Sequence, residues 1–234
     1  AKRAIEEIYS RQKIPILVGG TGFYIQAVLY DVDFAADGED EAYRGELKRQ
    51  AQANGVEYLH EKLSEVDPEY AVYVHANNQK KVIRALEFFH LTGRKLSEHN
   101  AEQAGKCSPY NFAYFVLNDE RIQIYERIDR RVDQMMEEGL VEEVKILKAR
   151  GYTRDMVSMQ GLGYKEILDY LDGRISLLEA VEIIKRDTRH FAKRQITWFK
   201  RERDTCWLNR EKFCQNEGKM LDAALDVLKG RGII

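Results

Sequence analysis

Residues 14–30 read Ile-Pro-Ile-Leu-Val-Gly-Gly-Thr-Gly-Phe-Tyr-Ile-Gln-Ala-Val-Leu-Tyr. The unbroken apolar run Ile14–Val18 shows no polar alternation, which predicts a strand covered on both faces, as in a parallel sheet between helices. Gly19 and Gly20 let the chain turn, and Thr21 is placed to cap a following helix through its hydroxyl. A strand, a glycine turn and a helix N-terminus leave backbone N–H groups facing open space, where open α/β sheets bind anions. The same residues also suit an ordinary tight turn between strand and helix.

On the N-terminal side, residues 1–11 read as a helix feeding that strand. An open sheet rarely begins with a covering helix, so a preceding N-terminal portion is expected. On the C-terminal side, an acidic turn-rich segment follows from Asp31 to Asp40. Then comes a series of short helices without strands. Asp40 caps a helix with Tyr43, Leu47 and Ala51 on one face, and Asn54-Gly55 stops it. Val56–Val66 is a second helix, and Asp67-Pro68 restarts a third. Gln79–Leu91 is a fourth, led by Asn77-Asn78 and ended by Gly93. This series predicts a helical insertion. The β-forming run Asn111–Leu117 returns to the sheet. Asn118 is then expected to cap a long helix, with Asp119 and Glu120 in its first turn and Gly139 after it. Further helices follow over residues 140–150 and 164–171. Ser176 with Glu179 forms a capping box for the longest helix, running to about Arg203. Cys206–Asn209 reads as a short edge strand and Met220–Leu228 as a final helix. The domains expected are residues 1–37, a first part of an α/β core; 38–110, the insertion; and 111–234, the rest of the core.

The 234 residues carry a formal net charge of −2, so any basic surface must be local. No apolar run approaches a membrane span, and no signal peptide opens the chain. Cys107, Cys206 and Cys214 lack metal-ligand spacing and read as reduced cytosolic thiols. The chain therefore reads as cytoplasmic and without a membrane partner.

Three basic clusters stand out. Arg127 and Arg131, four apart on one helix face, can grip a phosphate or diphosphate with bidentate bonds; Glu126 and Asp129 equally offer them ordinary ion pairs. Residues 186–203 hold seven Lys or Arg against two acids. Arg186, His190, Arg194 and Thr197 form one stripe there, and Arg189, Lys193 and Lys200 its neighbour. Phe191, Ile196 and one of Trp198 or Phe199 are expected on the buried side. Such a face is the electrostatic footprint of nucleic-acid backbone binding, though a solvated amphipathic helix has the same pattern. Lys80, Lys81 and Arg84 fall within one helical turn and are a weaker phosphate candidate. No general base and no metal ligand follows from spacing.

Taken together, five segments resemble the tRNA dimethylallyltransferase, or tRNA isopentenyltransferase, family: residues 14–24, Arg84-Ala-Leu-Glu87 with Thr92-Gly93, Arg127–Arg131, Gln160-Gly-Leu-Gly-Tyr-Lys165, and Lys193-Arg-Gln-Ile-Thr-Trp198. They run in the family's order over nearly the whole chain. The resemblance implies a P-loop-kinase-like parallel α/β core, incomplete at its N-terminus, with an all-helical insertion domain. It implies transfer of a dimethylallyl group from dimethylallyl diphosphate to N6 of adenine 37 in the tRNA anticodon stem-loop, with Mg2+ assisting departure of diphosphate, by a monomer. Thr21 is then expected beside the adenine, and Arg131, with Arg127 behind it, at the diphosphate. Arg44 is expected at tRNA, across a one-residue shift. Three segments are expected to touch tRNA: Lys80, Lys81, Val82, Ile83 and Arg84; Gln160, Gly161, Leu162, Gly163, Tyr164 and Lys165; and Lys193, Arg194, Gln195, Ile196, Thr197, Trp198, Phe199 and Lys200. In one respect the chain departs from the family: the P-loop Gly-x-x-x-x-Gly-Lys-[Ser/Thr] and the aspartate base would both lie before Ala1. The chain by itself is therefore expected to be inactive, which full turnover would refute. Competing readings are an adenylate isopentenyltransferase, a P-loop small-molecule kinase and a non-catalytic RNA-binding module.

Overall fold

The computed structural model describes residues 1–32, 38 and 40–234. The acidic turn expected between Asp31 and Asp40 thus falls largely outside the described residues. The chain divides into two compact units. One comprises Ala1–Gly19 and Phe23–Tyr110; the other comprises Gly20–Gly22 and Asn111–Ile234. The sequence grouped residues 1–37 with the sheet, whereas the structure groups most of the described part of that segment with the helices.

The first unit is helical: α1 (Lys2–Ser10), α2 (Gly22–Leu29, starting directly after Thr21, its first residue Gly22 counting with the second unit), α3 (Glu41–Asn54), α4 (Val56–Val66), α5 (Pro68–Tyr73), α6 (Gln79–Thr92) and α7 (Leu96–Gly105). Its core is built by the periodic positions Leu47 and Ala51 of α3, Leu59 and Leu63 of α4, and Val82, Ile83 and Leu86 of α6. Tyr43 packs at the edge of that core, and the Asp40 carboxylate accepts the Tyr43 N–H at 2.9 Å as the helix cap. Asp67 caps α5 by accepting the Tyr70 N–H at 3.1 Å. It also accepts the Ser97 N–H at 2.9 Å and the Ser97 hydroxyl at 2.6 Å, which ties α5 to α7.

Ile14–Val18 is not a strand. Ile16 and Val18 are 83% and 88% exposed. The only sheet among the described residues has two strands, both in the second unit, so this segment has no ladder to join. Apolar content alone cannot supply that partner.

The second unit holds β1 (Tyr114–Asn118), α8 (Arg121–Glu137), α9 (Leu140–Ala149), a 3-10 turn at Val157–Gln160, α10 (Tyr164–Leu171), α11 (Leu177–Phe199), β2 (Thr205–Asn209) and α12 (Glu217–Gly230). The strands pair in parallel, from Tyr114 opposite Thr205 to Asn118 opposite Asn209. A parallel pair requires a long crossover, and α8–α11 provide it. This is the α/β class with a parallel sheet read from the sequence. Val132, Leu140, Val144, Ile167, Leu168, Ala180 and Ile184 form the unit's core. The capping box of α11 is present, with Ser176 Oγ accepting the Glu179 N–H at 3.2 Å. Asn118 does not cap α8 as expected. It is spent in the sheet, where its side-chain amide donates to Asn209 Oδ1 at 2.8 Å, and Glu120 stands at the cap position instead. α11 ends at Phe199, short of the expected Arg203. No helix among the described residues is long and apolar enough to cross a membrane.

Candidate active site and RNA-binding face

β1 and β2 run in the same direction, so their carboxyl ends lie side by side. The second unit opens there into a cavity of about 520 Å³. That is where open parallel sheets place their ligands. Asn118, Asp119, Arg127, Gln195, Arg210 and Glu217 supply its polar wall. Leu117, Ile124, Ile196 and Met220 supply the apolar one.

Asp119 organises the polar side. Its side chain is fully buried and ion-paired to Arg127 at 2.7 Å. It also accepts the Glu120 N–H at 2.9 Å and the Gln215 side-chain amide at 3.1 Å, and Arg210 Nε lies 3.9 Å from the oxygen that holds Arg127. Burial by itself would raise this carboxyl; the bonds from Arg127, Gln215 and Glu120 outweigh burial and hold it below its ordinary value. Two guanidinium groups thus share one carboxylate at the mouth of a half-apolar cavity.

The glycine corner belongs to the same unit. Gln195 of α11 lines the cavity and donates to the Gly20 carbonyl at 2.9 Å. One turn further along α11, Trp198 lies so close to Gly22 that a Cβ there would come within 2.2 Å of the indole. Gly20-Thr21-Gly22 therefore lies directly on α11, and the absence of side chains at both glycines is what permits it. Thr21 is exposed beside a residue of the cavity wall.

Arg127 lines this cavity, whereas Arg131 does not: it lies one turn further along α8, exposed and 3.5 Å from Glu138. On α11, Lys193, Arg194, Thr197 and Trp198 are exposed, as is Lys200 just past its end. Among the described residues Lys193, Arg194 and Lys200 form no ion pair. Arg194 instead lies over the Phe191 ring. Gln195 and Ile196 face the cavity. Of the expected buried side, Phe191 is 42% exposed, and Phe199 takes the inner place, edge-on to Tyr114 at 6.2 Å. Arg189 leaves the basic stripe to pair with Asp129 at 2.6 Å, because α8 packs along that side and offers a carboxylate.

In the turn before α10, Gln160 and Gly161 are exposed, with Leu162, Tyr164 and Lys165 half-buried. Gly163 is buried at φ 98°, and its N–H donates to the buried Glu166 at 2.9 Å, so its part is to start the helix. The Tyr164 hydroxyl is bonded to Glu143, and Lys165 pairs with Glu166 at 3.3 Å.

In the first unit, Lys80 and Lys81 are exposed at the start of α6, but Val82 and Ile83 are core residues, 0% and 6% exposed. Their side chains are not available to RNA, because they fill the inner face of α6. Arg44 pairs with the fully buried Glu87 at 2.7 Å, and Arg84 stands 3.6 Å from the same carboxylate. Glu87 also accepts the Asp40 N–H at 2.9 Å. Both arginines are thereby held in place with about a third of each side chain open to solvent.

Sequence reasoning assigned Asp119 to a helix end and gave Arg210 no role. The signal that finds them is position: each stands immediately after a strand of a parallel pair.

The IPP transferase family model matches residues 1–202. A tRNA dimethylallyltransferase of Lachnoclostridium phytofermentans is 55% identical over the whole of this chain, which spans 74% of that relative. Among solved structures, the full-length tRNA isopentenylpyrophosphate transferase of Bacillus halodurans aligns with 98% of this chain and 70% of its own length, at 42% identity and a TM-score of 0.65. A eukaryotic dimethylallyltransferase acting on tRNA aligns with 98% of this chain and 60% of its own, at 27% identity and a TM-score of 0.76. The chain belongs to the IPP transferase family, the tRNA dimethylallyltransferases.

Proposed function

We propose that the chain serves the transfer of a dimethylallyl group from dimethylallyl diphosphate to N6 of adenine 37 in the anticodon stem-loop of tRNA. The observation that carries this reading is the cavity at the strand ends, with guanidinium groups beside apolar side chains and the Gly20-Thr21-Gly22 corner on the same helix. A dimethylallyl diphosphate has the matching division, a dianionic or trianionic head and a five-carbon apolar tail. Departure of diphosphate develops negative charge, which Arg127 is placed to stabilise; Arg131, one turn away, is the second cation on that face of α8. Thr21, exposed beside Gln195, offers a hydroxyl to a base drawn out of the loop. Lys193, Arg194 and Lys200 supply charge for the RNA backbone. Arg44, Lys80, Lys81 and Arg84 of the first unit, and Gln160, Gly161 and Lys165 of the second, complete the set offered to tRNA.

Mg2+ is the ion proposed to assist diphosphate. Among the described residues no group of three His, Cys, Asp or Glu side chains is placed to hold a metal. Mg2+ commonly takes one or two carboxylates together with the substrate's own phosphates, and no step is assigned to the ion. The proposed protein acts as a monomer in the cytoplasm, where its RNA substrate is found.

Titration with an anticodon stem-loop carrying adenine 37 tests the reading against its rivals. The expected result is binding that weakens steeply with salt, together with binding of dimethylallyl diphosphate and none of AMP. Tight AMP binding would favour an adenylate isopentenyltransferase, and ATP binding with γ-phosphate transfer a kinase.

A further inference from the structure

We infer that Arg210 is a second diphosphate-binding cation and that Asp119, with Gln215, is the positioning device that aims Arg210 and Arg127 together into the cavity. The inference rests on the reading above and extends it to the loop after β2, a segment far in sequence from Arg127.

The geometry is specific. One Asp119 oxygen holds Arg127 Nη1 at 2.7 Å and has Arg210 Nε at 3.9 Å. The other oxygen accepts the Gln215 amide at 3.1 Å, and the Gln215 carbonyl in turn accepts Arg210 Nε at 3.1 Å. Gln215 thus bridges carboxylate and guanidinium. Its backbone has φ 60° and follows Cys214 at φ 50°, two consecutive left-handed residues that fold the loop back toward the strand end. The remaining partner of Arg210, Glu217, lies at 3.3 Å and is 81% exposed, so an incoming anion can displace it at little cost.

This arrangement suits a diphosphate ester. Arg127 and Arg210 are balanced by Asp119 and by Glu217, which also lines the cavity. When an anion displaces the exposed Glu217, two guanidinium groups and one carboxylate leave a net positive charge at the mouth. A lone buried carboxylate would repel the ligand; here it is paired with Arg127 and stands near Arg210, both of which line the cavity. The apolar wall of Leu117, Ile124, Ile196 and Met220 distinguishes sources of the diphosphate. A short hydrocarbon ester gains contact there that inorganic diphosphate lacks, and a nucleoside diphosphate carries a polar sugar toward the same wall.

Calorimetric titration of the protein with inorganic diphosphate, dimethylallyl diphosphate and ADP, in wild type and variants, tests the proposal. Arg210→Ala is expected to weaken dimethylallyl diphosphate about tenfold, with Arg210→Lys recovering part of the loss and stem-loop affinity unchanged. Asp119→Asn gives the sharper result. Removing a negative charge beside an anion site strengthens anion binding if charge alone acts; a positioning role predicts several-fold weakening, and a smaller further effect when Arg210 is already Ala. Gln215→Ala, at a more exposed position, should weaken binding in the same direction and serves if Asp119→Asn does not fold. Wild-type affinity in Arg210→Ala, tighter binding in Asp119→Asn, or preference for ADP overturns the inference. A protein that binds the stem-loop but no diphosphate ester overturns it while leaving the RNA-binding part of the reading in place; one that binds neither removes both.

Discussion

At the scale of single residues, two glycines and two buried carboxylates decide most of the local geometry. Gly22 lies against Trp198, and an added Cβ would sit 2.2 Å from the indole nitrogen. Gly22→Ala should therefore cost about 1–3 kcal/mol and push the half-exposed Trp198 ring outward, read as a red shift in tryptophan emission. The double variant with Trp198→Ala should recover part of the stability; additive losses would contradict the contact. Asp67 supplies a pH test. Burial would raise its carboxyl, but bonds from the Ser97 hydroxyl, the Ser97 N–H and the Tyr70 N–H outweigh burial and hold it below its ordinary value. A lowered folded value contributes stability that is fully present above the unfolded carboxylate value near ~3.9, and is lost as pH falls through the folded one. Asp67→Asn should thus be less stable than wild type by about 1–3 kcal/mol at pH 7, with the gap shrinking below pH ~4. Urea unfolding at pH 7 and pH 3 measures it, and an equal gap at both would count against the assignment. Both carboxylates show where sequence reading stops. Asp67 was legible as a cap because its partner Tyr70 is three residues away; its bond to Ser97, like that of Asp119 to Gln215, depends on tertiary closure that no local pattern encodes.

At the scale of elements, α11 presents two faces of different electrostatic character. Its exposed side carries Lys193 and Arg194, with Lys200 just past its end; its inward side carries Arg189 to Asp129 and Lys185 to Asp133, both at 2.6 Å. These two sets should respond differently. Replacing Lys193 or Lys200 by Ala should lower stem-loop affinity and reduce the log–log salt slope by about 0.7–0.9 per charge, without changing the melting temperature. Replacing Arg189 should shift the melting temperature and leave the slope nearly unchanged. A slope that responds equally to both sets would show that the outer face is not the RNA contact. The basic character of this helix was legible in composition, and its start was legible in Ser176 and Glu179. Which basic residues are turned inward was not, because that depends on the carboxylates α8 presents. Ile14–Val18 fails for a related reason: an apolar run has the composition of a buried strand, but a strand exists only where a neighbour completes its ladder.

At the scale of the whole molecule, the chain holds two separate cores. Leu63→Ala, at a position with 0% exposure, should cost about 2–5 kcal/mol. Hydrogen exchange should show the loss of protection concentrated in α3–α6 rather than in α8–α11. The family was legible in five ordered motifs although each is weak alone, because their order constrains the fold more than any one of them. The cavity was not, since its walls come from β1, α8, α11, the loop after β2 and α12.

The most direct measurement is the affinity for dimethylallyl diphosphate in wild type and Arg127→Ala, with stem-loop binding followed in the same samples. The account predicts a loss of about tenfold or more for the diphosphate ester and unchanged RNA affinity. Equal affinity for the ester in both proteins would contradict the placement of the prenyl donor in the arginine-lined cavity at the strand ends.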